Sequence, residues 1–165
     1  ILLKIVICIA FYKAEGNLLN KFVRQWTNSK YSHAELILND GETWISITPF
    51  LNSKIYSKTK PEFEEKDWDF LDVAVTSEQH KTIEDFYELT EGCAYDWVGM
   101  LLSQFVPFHI KRKGKWYCSE WIAYALRISG VIDWKIIQIY DKSDLSPAVL
   151  HKMVQRIKHV ETSEV

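Results

Sequence analysis

The chain has 165 residues, of which 47 % are hydrophobic and 25 % charged, a composition that favours a folded domain over a disordered segment. Its 20 Lys and Arg against 22 Asp and Glu give a net charge of −2, which argues against broad nucleic-acid binding because such binding needs a basic surface. No run approaches the roughly 20 apolar residues of a membrane-spanning helix. We therefore predict a single domain over residues 1–165 with no membrane span.

The three cysteines, Cys8, Cys93 and Cys118, cannot all pair within one chain. At least one free thiol favours a reducing compartment, and we expect a cytoplasmic location. The apolar run at residues 1–11 lacks the basic leader and the small-x-small cleavage site of a secretion signal. We interpret it as a buried strand.

Hydrophobic periodicity and turn residues predict an α+β domain of antiparallel strands with segregated helices. Asp40-Gly41 between two apolar runs predicts a hairpin, and the spacing of Thr76 and Gln79 predicts a capping box. The elements in chain order are strand Ile1–Tyr12, helix Asn17–Trp26, strands His33–Asn39 and Glu42–Thr48, a loop or edge at Lys54–Lys66, strand Asp69–Val75, a helix from Thr76 to Leu89, helices Tyr95–Phe105 and Tyr117–Ser129, a β-like segment Trp134–Tyr140, and a helix Ala148–Ile157 that Ser146-Pro147 precedes.

Cys118 is the first candidate for chemistry, because the pattern places it in the first turn of a predicted helix. Unpaired backbone N–H groups and the helix dipole favour negative charge there, which lowers the pKa of a thiol. The alternative is a small apolar core residue, since free cysteines are often simply buried.

His33 and Glu35 form the second candidate site. On a strand they project to one face, whereas Ala34 projects to the other. Glu35 can accept a hydrogen bond from one ring nitrogen of His33 and leave the other nitrogen for a thiol. The alternative is a surface strand with two polar residues that face water.

Two short motifs carry a resemblance to a known family. Residues 31–35 (Tyr-Ser-His-Ala-Glu) and 116–120 (Trp-Tyr-Cys-Ser-Glu) resemble the circularly permuted papain-like branch of the NlpC-type amidase and peptidase superfamily. The YiiX-like proteins and, more remotely, lecithin retinol acyltransferase are relatives in that group. In this branch the histidine strand precedes the cysteine helix, the reverse of the order in papain.

The resemblance implies a permuted papain-like fold with Cys118 as nucleophile, His33 as general base and acid, and Glu35 as the orienting carboxylate. It implies a cysteine hydrolase that cleaves an amide of a cell-wall peptide, or a related isopeptide or γ-linked amide, through a thioester. Three aromatic residues next to the motifs are expected to line the substrate cleft: Tyr31, Trp116 and Tyr117.

Other candidates are weaker. No CxxC or HExxH spacing supports a metal site, and no motif calls for a cofactor. The basic loop Lys111–Lys115 is either a solvated face or a region that attracts an acidic or phosphate-bearing substrate. Three further histidines, His80, His151 and His159, are interpreted as surface residues.

Two alternatives to a hydrolase remain open, together with a second substrate class for the hydrolase. A non-catalytic binding module would keep the cleft without the chemistry. A thiol acyltransferase would share the site but pass the acyl group to an acceptor other than water. A lipid-type ester or amide is the second substrate class for the hydrolase itself.

Overall fold

The computed structural model describes residues 4–26, 28–47, 54–95, 115–116, 118–133, 135–136 and 145–163. Within these ranges the chain is α+β. Its strands are β1 (Ile5–Tyr12), β2 (His33–Ile37), β3 (Thr43–Ile47), β4 (Ile55–Thr59), β5 (Trp68–Val75), β6 (Ala94–Tyr95) and β7 (Lys115–Trp116). Its helices are α1 (Leu18–Trp26), α2 (Ser77–Thr90), α3 (Cys118–Ile128) and α4 (Pro147–Ser163), and a 3-10 turn spans Glu65–Asp67. None of the helices in these ranges is long and apolar enough to cross a bilayer.

Five strands form one antiparallel sheet in the order β4-β3-β2-β1-β5. Alternation along each strand sends side chains to two faces. One face packs against α2, α3 and α4 and contributes a continuous apolar core. The other carries a smaller cluster in which Ala10, Ile37 and Trp44 are buried beneath Phe63 and Trp68.

Helix α3 joins the sheet to α2 through its buried side. The Trp121 ring stacks on Phe86 at 5.4 Å between ring centres, and its indole N–H donates to the Thr90 hydroxyl at 2.8 Å. Ser119, fully buried in the first turn, donates to the carbonyl of Leu145 just before α4. These contacts fix the N-terminal half of α3 against α2 and against the segment before α4.

The pairing between β2 and β3 covers only the C-terminal end of β2. Leu36 and Ile37 pair with Ile45 and Trp44, and the Leu38 N–H donates to the Thr43 carbonyl at 3.0 Å. Because N–H groups two residues apart point the same way, the Ala34 N–H also points to the β3 side. It lies beyond the last β2–β3 pair, where the start of α3 approaches β2. The β2–β3 hydrogen bonds therefore do not use the Ala34 N–H, and this group can donate to Cys118 at the start of α3.

Several sequence predictions are confirmed. β2 and β3 form the predicted hairpin, with Gly41 in the left-handed region at φ 70°. The Thr76 hydroxyl accepts from the Gln79 N–H at 3.1 Å, and the Gln79 side chain accepts from the Thr76 N–H at 2.9 Å, which completes the capping box. Ser146 caps α4 by accepting from the Val149 N–H at 3.3 Å.

Two element predictions are wrong where the structure describes them. Tyr95 belongs to β6 and does not begin a helix; the rest of the predicted helix, 96–105, lies outside the described residues. Within the predicted segment Trp134–Tyr140, Lys135 and Ile136 are helical. Asp133 starts this turn, because its carboxylate accepts from the Lys135 N–H at 2.9 Å and its carbonyl from the Ile136 N–H at 3.0 Å.

The capping box gives a stability prediction. Thr76→Ala removes the acceptor for the Gln79 N–H and should lower the free energy of unfolding by about 1 kcal/mol. Thr82→Ala in the same helix is the matched control, since Thr82 only donates back to the Glu78 carbonyl and alanine has the higher helix propensity. We expect the control to be neutral or slightly stabilising in urea unfolding. Equal losses in both variants would contradict the capping account.

Candidate functional site

Cys118 is the first residue of α3, and its side chain lies where the sheet opens between β2 and β3. The residue is only 5 % exposed. The sulfur accepts hydrogen bonds from two backbone N–H groups, those of Ala34 and Ser119. Burial raises the pKa of the thiol, but the His33 ring and these two donors outweigh burial and lower the pKa below its ordinary value. The site can therefore hold a thiolate.

His33 opens β2 and contacts Cys118 directly. Its Nε2 lies 3.1 Å from Oε1 of Glu35, so Nδ1 is the ring nitrogen left for the sulfur. The ring is 15 % exposed. Burial lowers the pKa of the imidazole, but the negative charges of Cys118 and Glu35 reverse that effect and raise the pKa to about 10. The directions of the two pKa shifts, upward at His33 and downward at Cys118, both favour an imidazolium–thiolate pair.

Glu35 is the buried centre of this network. Its side chain is 3 % exposed, and Oε1 accepts from the His33 ring, from the Ser46 hydroxyl at 2.9 Å and from the Lys58 ammonium at 2.8 Å. Burial raises the pKa of this carboxyl, but His33 and then Lys58 lower it below its ordinary value. Oε2 is buried and has no hydrogen-bond partner among the described residues.

The predicted alternation along β2 is confirmed. Ala34 and Leu36 lie in the core beneath the helices, while Ile37 belongs to the cluster on the opposite face. His33 and Glu35 share that opposite face and are hydrogen-bonded to each other. The alternative of two polar residues facing water is wrong for Glu35, because its carboxylate is buried.

Ser46 and Lys58 were not predicted as part of the site. Ser46 lies on β3 and Lys58 on β4, and both project to the face that carries Glu35. Trp44 and Ser46 are two residues apart on β3, so the sequence pattern places the Ser46 hydroxyl on the same face as the apolar Trp44 ring. This pattern could have indicated a buried hydroxyl. Lys58 gave no such signal, because its segment reads from sequence as a polar loop or an edge strand.

Tyr31, predicted to line the substrate cleft, lies in a second polar cluster. Its hydroxyl donates to Asp69 at 2.5 Å and lies 3.1 Å from Nε2 of His151, while its ring packs against Phe11 at 5.4 Å. Two lysines complete the cluster at the Asp69 carboxylate: Lys13 at 2.6 Å and Lys30 at 2.8 Å. Burial raises the pKa of Asp69, but these donors lower it well below its ordinary range. The Tyr31 hydroxyl is therefore bonded to Asp69, and the cleft-lining role of Tyr31 stays a prediction.

The other two cleft residues fall largely outside the described part of the structure. Trp116 pairs through its backbone with Tyr95 in β7, and its side chain is outside the described residues. Tyr117 is outside them entirely, as is the basic loop up to residue 114. The structure therefore leaves the cleft-lining roles of these residues as predictions.

Two of the histidines predicted to lie on the surface are not there. His80 is 7 % exposed, because it shares the core-facing side of α2 with Ile83, three residues on. His151 is partly buried, and its ring packs edge-on against Phe11 at 4.9 Å. The side chain of His159 is outside the described residues.

Comparisons with known proteins add no relative. No protein-family model matches the chain, and a search of curated proteins finds no match either. The family resemblance therefore still depends on the two short motifs around His33 and Cys118.

Proposed function

We propose that this protein is a cysteine hydrolase that cleaves an amide bond through a thioester, on a permuted papain-like fold. The observation that carries the proposal is the contact chain from the Cys118 sulfur to the His33 ring and on to the Glu35 carboxylate. Its three members come from the start of one helix and alternate positions of one strand, which is the order that the sequence motifs imply.

The chemistry follows from the protonation states. The Cys118 thiolate attacks the amide carbonyl carbon, and negative charge moves to the carbonyl oxygen. The N–H of Cys118 has no acceptor within α3, because it lies in the first turn, and it is the donor for that oxygen in this proposal. His33 then donates its proton to the departing amine as the C–N bond breaks, which leaves a thioester on Cys118. Water attacks the thioester carbonyl carbon while His33 takes a proton from that water. The C–S bond then breaks, which releases the carboxylic acid and restores the thiolate–imidazolium pair.

Burial of Cys118 favours one second candidate. A thiol that is 5 % exposed fits a binding module that keeps the fold without turnover. The lowered pKa of Cys118 weighs against that reading, because an inert buried thiol in apolar surroundings has a raised pKa. A thiol acyltransferase would use the same residues, and analysis of the reaction products distinguishes it from a hydrolase.

The substrate class is part of the proposal and comes from the resemblance. A cell-wall peptide, or a related isopeptide or γ-linked amide, is the first choice, and a lipid-type acyl ester or amide is the second. A cytoplasmic location also belongs to the proposal. Cys93 and Cys118 are free thiols in the described part of the structure, which supports a reducing compartment.

The lowered pKa of Cys118 predicts the pH dependence of its alkylation. A lowered pKa keeps the thiolate present below the ordinary thiol value of about 8.5, so iodoacetamide should label Cys118 well below that pH. Cys8 and Cys93 serve as internal controls in peptide mass spectrometry. The midpoint is compared rather than the absolute rate, because burial slows access. An ordinary midpoint at Cys118 would favour the binding module.

Removing the imidazole should reverse that effect. In His33→Gln the cation beside the sulfur is lost, so the alkylation midpoint of Cys118 should rise toward or above the ordinary thiol value. His80→Gln is the matched control, since its ring pairs with Glu84 in α2 and not with the sulfur. If both variants keep the parent midpoint, His33 does not stabilise the thiolate.

Turnover rates of three variants should distinguish the roles of Cys118, His33 and Glu35. On an amide substrate found by library screening, Cys118→Ala should abolish product formation, and His33→Ala should lower the rate by at least about 100-fold. Glu35→Gln should be milder, because this carboxylate orients the ring and does not react. Mass spectrometry of the products gives the rates. Retained activity in Cys118→Ala would show that the proposed mechanism is wrong.

A further inference from the structure

Lys58 lies at the end of the network that is farthest from the sulfur. Its ammonium and the Nε2 atom of His33 share one acceptor, Oε1 of Glu35, at 2.8 Å and 3.1 Å. The two nitrogens are therefore less than about 6 Å apart, close enough for a substantial electrostatic interaction. The Lys58 side chain is 28 % exposed, and its ammonium also lies 6.0 Å from the centre of the Trp44 ring.

We propose that Lys58 is a positioning residue of this site, which keeps Glu35 charge-balanced so that His33 can release its proton. The inference rests on the proposed function, since it concerns the acid step of the same reaction. It assigns Lys58 no contact with the substrate.

The charge on each member of the network changes during the acylation step. Before the reaction four charges alternate along the network: thiolate, imidazolium, carboxylate and ammonium. When the C–N bond breaks, the sulfur becomes a neutral thioester and the His33 proton leaves with the amine. Glu35 is then a buried carboxylate whose nearest ring is neutral. Lys58 is the remaining cation in contact with that carboxylate among the described residues.

Without Lys58 the release of the proton would be opposed. A buried carboxylate without a matching cation is costly, so the uncompensated Glu35 would hold the proton on His33. Ser46 can satisfy Oε1 with a hydrogen bond, but a hydroxyl supplies no charge. The Lys58 ammonium therefore supplies a positive charge that the neutral Ser46 hydroxyl cannot supply.

The described elements around His33 offer few other charges. Glu35 shares its strand, Cys118 faces it from α3, and Lys58 reaches the site from β4. Tyr12 lies opposite His33 on β1, and β3 contributes the neutral Ser46. Among these groups on the described elements, Lys58 is the cation besides the protonated His33 ring.

The test measures the protonation of His33 with the sulfur charge removed. Cys118→Ala takes away the thiolate and so imitates the acylated state, in which the sulfur is neutral. In this background the His33 titration is followed by NMR of isotope-labelled histidine, with the His33 signal assigned by its absence in His33→Gln. Lys58→Gln, which keeps a donor but loses the charge, should raise the midpoint by about one pH unit.

Two further variants separate charge from structure. Lys58→Arg keeps the cation and should hold the midpoint close to that of the parent. Lys60→Met removes an exposed lysine just beyond β4, which lies over the Phe63 ring, and should leave the midpoint unchanged. A midpoint that stays or falls in Lys58→Gln would overturn the proposal, as would an equal rise in Lys58→Arg.

The result stands apart from the proposed function. The titration needs no substrate and no reactive thiol. If the Lys58 effect is absent but Cys118 shows the predicted low alkylation midpoint, only the positioning role is overturned. An ordinary alkylation midpoint at Cys118 would overturn the hydrolase instead. Should Lys58→Gln unfold, Lys58→Met supplies a second neutral variant, and its titration decides the matter in the same way.

Discussion

A carboxylate buried in a sheet must be matched by positive charge and hydrogen-bond donors, and the arrangement of the candidate site depends on how Glu35 meets this requirement. Three strands contribute to it, since His33, Ser46 and Lys58 all reach the same oxygen. The carboxylate in turn favours the charged form of the His33 ring. The charged ring, together with two backbone N–H groups, favours the thiolate at Cys118. Each charge in the series is stabilised by the next.

The fold supplies the geometry for this series through two local features. The β2–β3 ladder does not reach the first residues of β2, so the Ala34 N–H can donate to the sulfur. The chain just before β2 is anchored by a second carboxylate, the partly exposed Asp69 on β5, which accepts from Lys13, Lys30 and Tyr31. Because Tyr31 precedes His33 by two residues, this anchor limits where β2 begins and so where the imidazole lies.

The sequence predicted the parts of the site that depend on local periodicity. Alternation placed His33 and Glu35 on one face, and helix-start signals placed Cys118 at the beginning of α3. It did not predict Lys58, whose place in the site depends on the β3–β4 register and not on its neighbours in sequence. The helical turn at Lys135 was missed because Trp134–Tyr140 was interpreted as a β-like segment, whereas Asp133 accepts from the Lys135 and Ile136 N–H groups and starts a turn. The burial of His80 was visible in its spacing from Ile83, but the surrounding charges favoured a surface assignment.

The central claim is that Cys118 is a thiolate paired with the His33 imidazolium near neutral pH. Ultraviolet absorbance of the thiolate, titrated against pH in the parent protein and in Cys118→Ala, measures this charge directly and requires no reagent to enter the site. The account predicts a difference signal whose midpoint lies well below the ordinary thiol value of about 8.5. A midpoint at or above that value would contradict it, because a thiol that is neutral at neutral pH cannot form the proposed ion pair.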